Sequence, residues 1–263
     1  MTVLDGIILG ILQGLTEFLP ISSSGHIELG SALLNVKTKS NFLFSLVVHA
    51  ATALSTIVVF RKDLTNLTFQ LVKFKNNEAT RYVLFLMVSA LPVGLIGILY
   101  DKEIESFFSG EIRLVGFMLL VTGLLLSMTF YSPPRKGAVT WGRALLIGMA
   151  QAIAILPGIS RSGATISTAL LLGVEKEKAA RFSFLMVLLP ILGGSLLKLV
   201  EYVQTPGSYE AISNWVLIAG FVSAFIAGLI ACQWMLAIIK KGKLIYFAFY
   251  CFVVGIIAII FSI

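Results

Sequence analysis

The chain has 263 residues, of which 58% are hydrophobic and only 13% charged, against roughly 45–50% and ~25% in an average soluble domain. With a mean hydropathy of +0.97, so much apolar surface cannot be hidden in water; its solvent is largely lipid, which excludes a disordered chain, a collagen-like fibre and a disulfide scaffold. A net charge of +7 does not point to nucleic acid, because no basic stripe interleaved with aromatics lies outside the apolar segments and cytoplasmic loops of membrane proteins collect Lys and Arg.

In chain order, the opening MTVLDGIILG lacks the basic stretch of a cleavable signal and is expected to be retained. An apolar region, Leu4–Leu34, is broken by Pro20-Ile-Ser-Ser-Ser-Gly25. Unbroken apolar stretches follow at Phe42–Phe60, Tyr82–Tyr100 and Ile112–Phe130. A second interrupted region, Ala144–Leu172, is broken by Pro157-Gly-Ile-Ser-Arg-Ser-Gly163. Phe182–Leu199, Trp215–Ile238 and Leu244–Phe261 bring the long stretches to six. Each half of a broken region has about 12–15 residues, too short to cross ~30 Å of hydrocarbon alone. Helix, polar break and returning helix predict a re-entrant hairpin. Cys232 and Cys251 fall inside apolar runs and read as small core residues.

The broken regions are copies of each other. At an offset of 138, Gly10, Gln13, Ile21, Ser22, Ser24 and Gly25 fall on Gly148, Gln151, Ile159, Ser160, Ser162 and Gly163, and Ser89-Ala90 later matches Ser223-Ala224. Each half, 1–131 and 140–263, is one hairpin followed by three spans. Three is odd, so the second half enters the membrane inverted. The expected fold is thus an all-α polytopic membrane protein, a single domain over 1–263, with six transmembrane helices and two re-entrant helical hairpins in an inverted-topology repeat. The basic loop 61–81 and the Lys-Lys-Gly-Lys run at 240–243 read as cytoplasmic, as do 131–143 and 174–181. The first hairpin and both termini are then expected outside.

Ionisable groups at membrane depth are costly and mark function by default. Gln13 and Glu17 share a helical face at i, i+4. After Pro20, a serine is a natural cap for the returning half-helix, and Ser22 and Ser23 share a face with His26 if helical geometry begins there, whereas Ser24 does not. In the second hairpin Ser160, Arg161, Ser162, Gly163 and Thr165 put hydroxyls, N–H groups and a guanidinium at a helix N-terminus, a combination suited to phosphate. Structural readings stay open: Glu17 as a cap, His26 as a packing residue, Arg161 as an ion-pair partner of Glu17, His49 as a packing histidine. With the tips meeting mid-protein, these groups fit hydrolysis of a phosphate ester or anhydride on a lipid. The same architecture also suits a lipid-phosphate flippase or ion-coupled transporter.

Gln13-Gly-Leu-Thr-Glu17-Phe-Leu-Pro-Ile-Ser-Ser-Ser-Gly-His26, with Leu156-Pro-Gly-Ile-Ser-Arg-Ser-Gly-Ala-Thr165, closely resembles the undecaprenyl-diphosphate phosphatase family, the bacitracin-resistance proteins of bacteria. The likeness spans the whole chain. It implies release of phosphate from undecaprenyl diphosphate to recycle the lipid carrier of peptidoglycan synthesis. It also implies a site open to the outer side of the cytoplasmic membrane and a divalent cation, Mg²⁺ or Ca²⁺. By resemblance Gln13 and Glu17 fall on the family's acidic motif, Ser23 and His26 on its serine and histidine, and Pro157 to Ser162 on its arginine motif. The catalytic set expected is Glu17, Ser23, His26 and Arg161, with Ser23 attacking or orienting the attacking water and His26 as general base and then acid. Gln13, Ser22, Ser24, Ser160, Ser162, Gly163 and Thr165 are expected to bind substrate, and Glu17 to ligate the cation. The expected partners are a polyprenyl diphosphate and membrane lipids, with a homodimer possible and no nucleic acid. Two departures stand out: Gln13 replaces a frequent Glu, and Ser45 and His49 stand where similar sequences often carry Glu and Gln.

Overall fold

The computed structural model describes residues 1–36, 42–73, 77–100, 103–104, 107, 111–132, 135–204 and 212–261. Among them lie twelve α-helices of 11 residues or more: α1 (Val3–Phe18), α2 (Ser23–Leu33), α3 (Phe42–Val59), α4 (Arg61–Leu71), α5 (Glu78–Leu99), α6 (Ile112–Phe130), α7 (Trp141–Ile153), α8 (Arg161–Leu171), α9 (Lys176–Met186), α10 (Leu188–Gln204), α11 (Asn214–Lys241) and α12 (Ile245–Phe261). Every long apolar stretch named above is helical. Glu78–Leu99, Ile112–Phe130, Lys176–Leu197 and Asn214–Lys241 are long and apolar enough to cross a membrane, and α12 is a shorter apolar helix of 17 residues. The chain is a polytopic helical membrane protein.

Local chemistry sets the helix ends. Thr2 and Asp5 form a capping box, the Thr2 hydroxyl accepting from Asp5 N and the Asp5 carboxylate from Thr2 N, at 3.2 and 2.7 Å. α1 stops where Leu19 turns extended before Pro20. α11 closes on Gly242 at φ +70°, with Lys240 and Lys241 in its last turn beside the negative end of the dipole.

One segment differs from the sequence reading. The basic loop 61–81 contains α4, bent by 75° from α3. Its period explains it: Leu64 packs against the main core and Leu67 is buried, while Arg61, Lys62 and Phe69 stay exposed.

Packing exchanges the two halves. α1 lies along α11 and α7 along α5, each first hairpin helix on a helix of the other half. Glycine makes both approaches possible. A Cβ on Gly10 would lie 3.1 Å from Gly220 Cα, and one on Gly148 only 2.8 Å from Ser89 Cα. Small residues along the apolar helices pack within the chain: Gly116 and Gly255 face each other between α6 and α12, Gly123 faces Phe252, Gly220 faces Phe44 and Gly228 faces Ser55. Both cysteines are buried and unbridged, as expected. The core between the hairpins is aromatic, with Phe184 packed edge-on against Phe18 at 5.7 Å and against Phe60 at 6.2 Å.

Candidate active site

The two breaks are built alike. In the first, Ser22 caps α2, its Oγ accepting from Gly25 N at 3.2 Å and lying 3.3 Å from Ser24 Oγ. In the second, Ser160 caps α8, its Oγ accepting from Gly163 N at 3.0 Å and lying 3.2 Å from Ser162 Oγ. The turns differ in how they bend. Ser22 takes φ +72° itself, whereas Gly158 takes φ +98° in the second break, a region glycine occupies without strain.

The tips touch. Ser162 Oγ donates to the Leu19 carbonyl at 3.1 Å. A Cβ on Gly25 would lie 3.1 Å from Gly158 Cα, and one on Gly163 3.4 Å from the Pro20 carbonyl. Thr122 of α6 holds the second tip from outside, accepting from Ser160 N at 2.9 Å and donating to the Gly158 carbonyl at 3.0 Å. Thr165 Oγ1 and Ser183 Oγ are 2.5 Å apart, tying α8 to α9.

Glu17 is the centre of the cluster, its side chain only 5% exposed. Oε1 pairs with Arg161 Nη2 at 2.7 Å. Oε2 accepts from Ser23 Oγ at 2.6 Å and from Gln13 Nε2 at 3.0 Å. His49 Nε2 lies 4.0 Å from the same oxygen. Beside these groups is a narrow cleft, lined by Glu17, Arg161, Thr52, Thr56, Val187 and Ile191 among others. Opening onto it is the N-terminus of α8, whose Arg161 and Ser162 line the cleft. In α8 the N–H groups of Arg161 and Ser162 precede the first intrahelical bond, Ala164 N to the Ser160 carbonyl, and so present positive charge.

The structure thus brings together Gln13, Glu17, Ser23 and Arg161, and gathers Ser22, Ser24, Ser160, Ser162, Gly163 and Thr165 at the joined tips. His26 is placed differently from expectation. It does not face Ser23. Its Nδ1 lies 2.8 Å from the Ser22 carbonyl, and its Nε2 lies 2.8 Å from Tyr250 Oη, whose ring stacks on it at 5.6 Å. A carbonyl only accepts, so Nδ1 carries a proton and Nε2 takes the Tyr250 hydroxyl. Sharing a helical face with Ser23 left the ring's direction open, and the caged side belongs to Ser22 and Tyr250. Sequence reasoning missed Tyr250, Thr122, Thr52, Thr56 and Ser183. His49, Thr52 and Thr56 recur at helical spacing along α3, a signal that could have marked the two threonines, whereas Tyr250, Thr122 and Ser183 belong to no motif.

A cation caged by protein side chains alone fits poorly: among the described residues no group of three or more His, Cys, Asp or Glu stands together, and both oxygens of Glu17 already face N–H or O–H donors. Mg²⁺ is commonly held by one or two carboxylates together with substrate phosphates and water, and the carboxylate present to hold one here is Glu17.

A carboxylate is thus paired with an arginine across two broken helices, deep in the apolar bundle of a membrane protein. Residues 6–257 match the profile of the family described as bacitracin resistance protein BacA, and the chain belongs to that family. A relative from Christiangramia forsetii, named undecaprenyl-diphosphatase, is 51% identical over 264 residues, covering 100% of this chain and 99% of its own length. The undecaprenyl-diphosphatase of Bacteroides fragilis is 48% identical over 98% of this chain and 97% of its own. One from Bacillus cereus, undecaprenyl-diphosphatase 1, is 38% identical over the same shares.

Proposed function

We propose that the protein hydrolyses undecaprenyl diphosphate to undecaprenyl phosphate and inorganic phosphate, as a membrane-embedded phosphatase of the bacterial cytoplasmic membrane. The observation that carries this reading is the Ser23–Glu17–Arg161 cluster at the joined tips, in a chain whose full-length relatives are named for that activity. Arg161 uses one nitrogen for Glu17 and is 26% exposed at the cleft; a guanidinium carries five donors, leaving others for phosphate oxygens. The N-terminus of α8 adds N–H groups and a positive dipole end to the same anion.

Ser23 Oγ attacks the terminal phosphorus and passes its proton to Glu17 Oε2. The new O–P bond forms as the bond from phosphorus to the bridging oxygen breaks, releasing the lipid monophosphate. Water then cleaves the phosphoserine, freeing inorganic phosphate and restoring the hydroxyl. His26, locked between Ser22 and Tyr250, fixes the turn that presents Ser23. A cation bound together with the substrate's phosphates would rest on Glu17 and neutralise charge there; varying Mg²⁺ and Ca²⁺ in the assay tests the dependence that family resemblance implies.

The surrounding frame is read as six crossings, at α3, α5, α6, α9–α10, α11 and α12, with α1–α2 and α7–α8 as re-entrant hairpins of an inverted repeat. The exchanged packing of α1 on α11 and α7 on α5, with Gly10 and Gly148 at equivalent places, supports that symmetry. A site open to the outer side is what the family resemblance implies, and the loop charges support a first hairpin and termini on that side. A homodimer would have to use surfaces other than the glycine contacts already filled within the chain; the mass of the purified protein in detergent measures it.

The deciding experiment is inorganic phosphate release from undecaprenyl diphosphate by purified protein, beside Arg161→Ala and Ser23→Ala. Loss of ~10²-fold or more in Arg161→Ala is expected, as for one lost oxyanion donor. Full turnover in Ser23→Ala would replace the phosphoserine route by direct attack of water. A folded wild-type protein that releases no phosphate would overturn the phosphatase reading.

A further inference from the structure

His49 sits inside the apolar helix α3, where an ionisable ring is costly unless it has a task. It belongs to none of the motifs that point to the phosphatase. Its Nδ1 lies 2.8 Å from the Ser45 carbonyl, one turn earlier in α3. That carbonyl can only accept, so Nδ1 holds the hydrogen and Nε2 is the nitrogen left to exchange a proton. Nε2 points at Glu17 Oε2, 4.0 Å away, the same oxygen that receives the Ser23 hydroxyl at 2.6 Å. Serine, carboxylate and imidazole therefore stand in a row across α2, α1 and α3, with the carboxylate in the middle. Glu17 Oε1 is taken by Arg161, which leaves Oε2 as the atom where a proton would arrive and depart.

Resting on the phosphatase reading, we propose that His49 is a positioning residue that acts through Glu17, taking over the proton that Glu17 receives from Ser23. When Ser23 Oγ bonds to phosphorus, its proton goes to Glu17 Oε2 and then to His49 Nε2. The Nδ1 hydrogen stays with the Ser45 carbonyl, and Glu17 returns to its charged form beside Arg161. Nε2, left without a hydrogen in this tautomer, is the basic atom turned toward Oε2. The His49 side chain is 27% exposed, which gives the proton a way out before the next turnover. Without this step a protonated Glu17 would lose its pairing with Arg161 just as Arg161 is needed at the phosphate.

Of the elements packed on α3, α1 presents Glu17, with Arg161 of α8 behind it. α10 carries no ionisable group among its described side chains; α11 carries buried Cys232, and Lys240 and Lys241 at its far end, Lys240 being engaged with Glu177 at 2.9 Å. α4 carries Arg61, Lys62 and Asp63, at least twelve residues or ~18 Å of helix from His49. Among the described side chains, Glu17 is the group that sets what His49 does.

The experiment is the pH dependence of kcat and kcat/KM for phosphate release from undecaprenyl diphosphate, by wild type, His49→Gln and His49→Ala in detergent. With proton transfer typically contributing 10²–10⁴-fold, a fall in kcat of ~10²-fold is expected in both variants, with KM little changed. The acidic limb of the wild-type profile should change position in both, because the imidazole is gone and only Glu17 then has to be kept ionised. Wild-type kcat and an unchanged acidic limb in His49→Gln would overturn the proposal. A loss in His49→Ala that His49→Gln restores, with the limb unmoved, would equally overturn it in favour of packing. Thermal melting of each variant separates misfolding from lost chemistry. An inactive wild type would instead sink the phosphatase reading itself.

Discussion

Glu17 has two oxygens with unequal duties, and the difference is testable at a single atom. Oε1 holds Arg161, and Oε2 faces the Ser23 hydroxyl. Glu17→Gln keeps the volume but replaces one oxygen by an amide that cannot accept a proton. The expected result is a loss of phosphatase activity of ~10²–10⁴-fold, the range for a missing general base. Arg161, left without its charge partner, should make the variant melt at a lower temperature than wild type in detergent. Equal turnover in Glu17→Gln would move the base elsewhere. The residues of this site were unequally visible in the sequence. Gln13 and Glu17 sit one helical turn apart, so their pairing is local and legible. Arg161 lies 144 positions from Glu17, and only the duplicated hairpin indicated that they would meet. The direction of the His26 ring was not legible, because a shared face does not fix a rotamer and Tyr250 arrives from 224 positions away.

At the scale of the element, the second hairpin shows how a broken helix keeps its backbone satisfied inside an apolar bundle. Between α7 and α8 the chain abandons helical bonding, and buried N–H and C=O groups there need substitutes. Thr122, on a different helix, supplies two of them, to Ser160 N and the Gly158 carbonyl. Thr122→Val keeps the shape and removes both. Two buried groups are then orphaned, at about 1–3 kcal/mol each. The expected outcome is a lower melting temperature and a fall in kcat, because the displaced turn carries Arg161; Thr122→Ser should restore both. The sequence disclosed the break through Pro157 and Gly158, and it disclosed the cap through Ser160. It could not disclose Thr122, which looks like any threonine in a spanning helix. α4 was hidden for a related reason: its basic residues signalled a cytoplasmic loop, while the spacing of Leu64 and Leu67 that makes it helical is too short to stand out.

Across the whole molecule, the duplicated halves make a prediction that no single residue does. α1 rests on α11 and α7 on α5, so each hairpin leans on the half that does not contain it. If the halves are inverted, the hairpins enter from opposite faces, and two short helices from each side are enough to reach a shared centre that neither could reach alone. Positive loops then fix which face is which. Arg61 and Lys62 at the start of α4 and Lys240 and Lys241 at the end of α11 belong on the cytoplasmic side, and the end of α12 on the other. A β-lactamase, which protects cells only outside the cytoplasm, should confer resistance when fused after Ile263 and fail to do so when fused after Lys241. A fluorescent protein that folds only in the cytoplasm should behave in the opposite way at the same two positions. If both reporters place both junctions on one side, α12 does not cross, the second half is not an inverted copy of the first, and the joined tips need another account of how they meet.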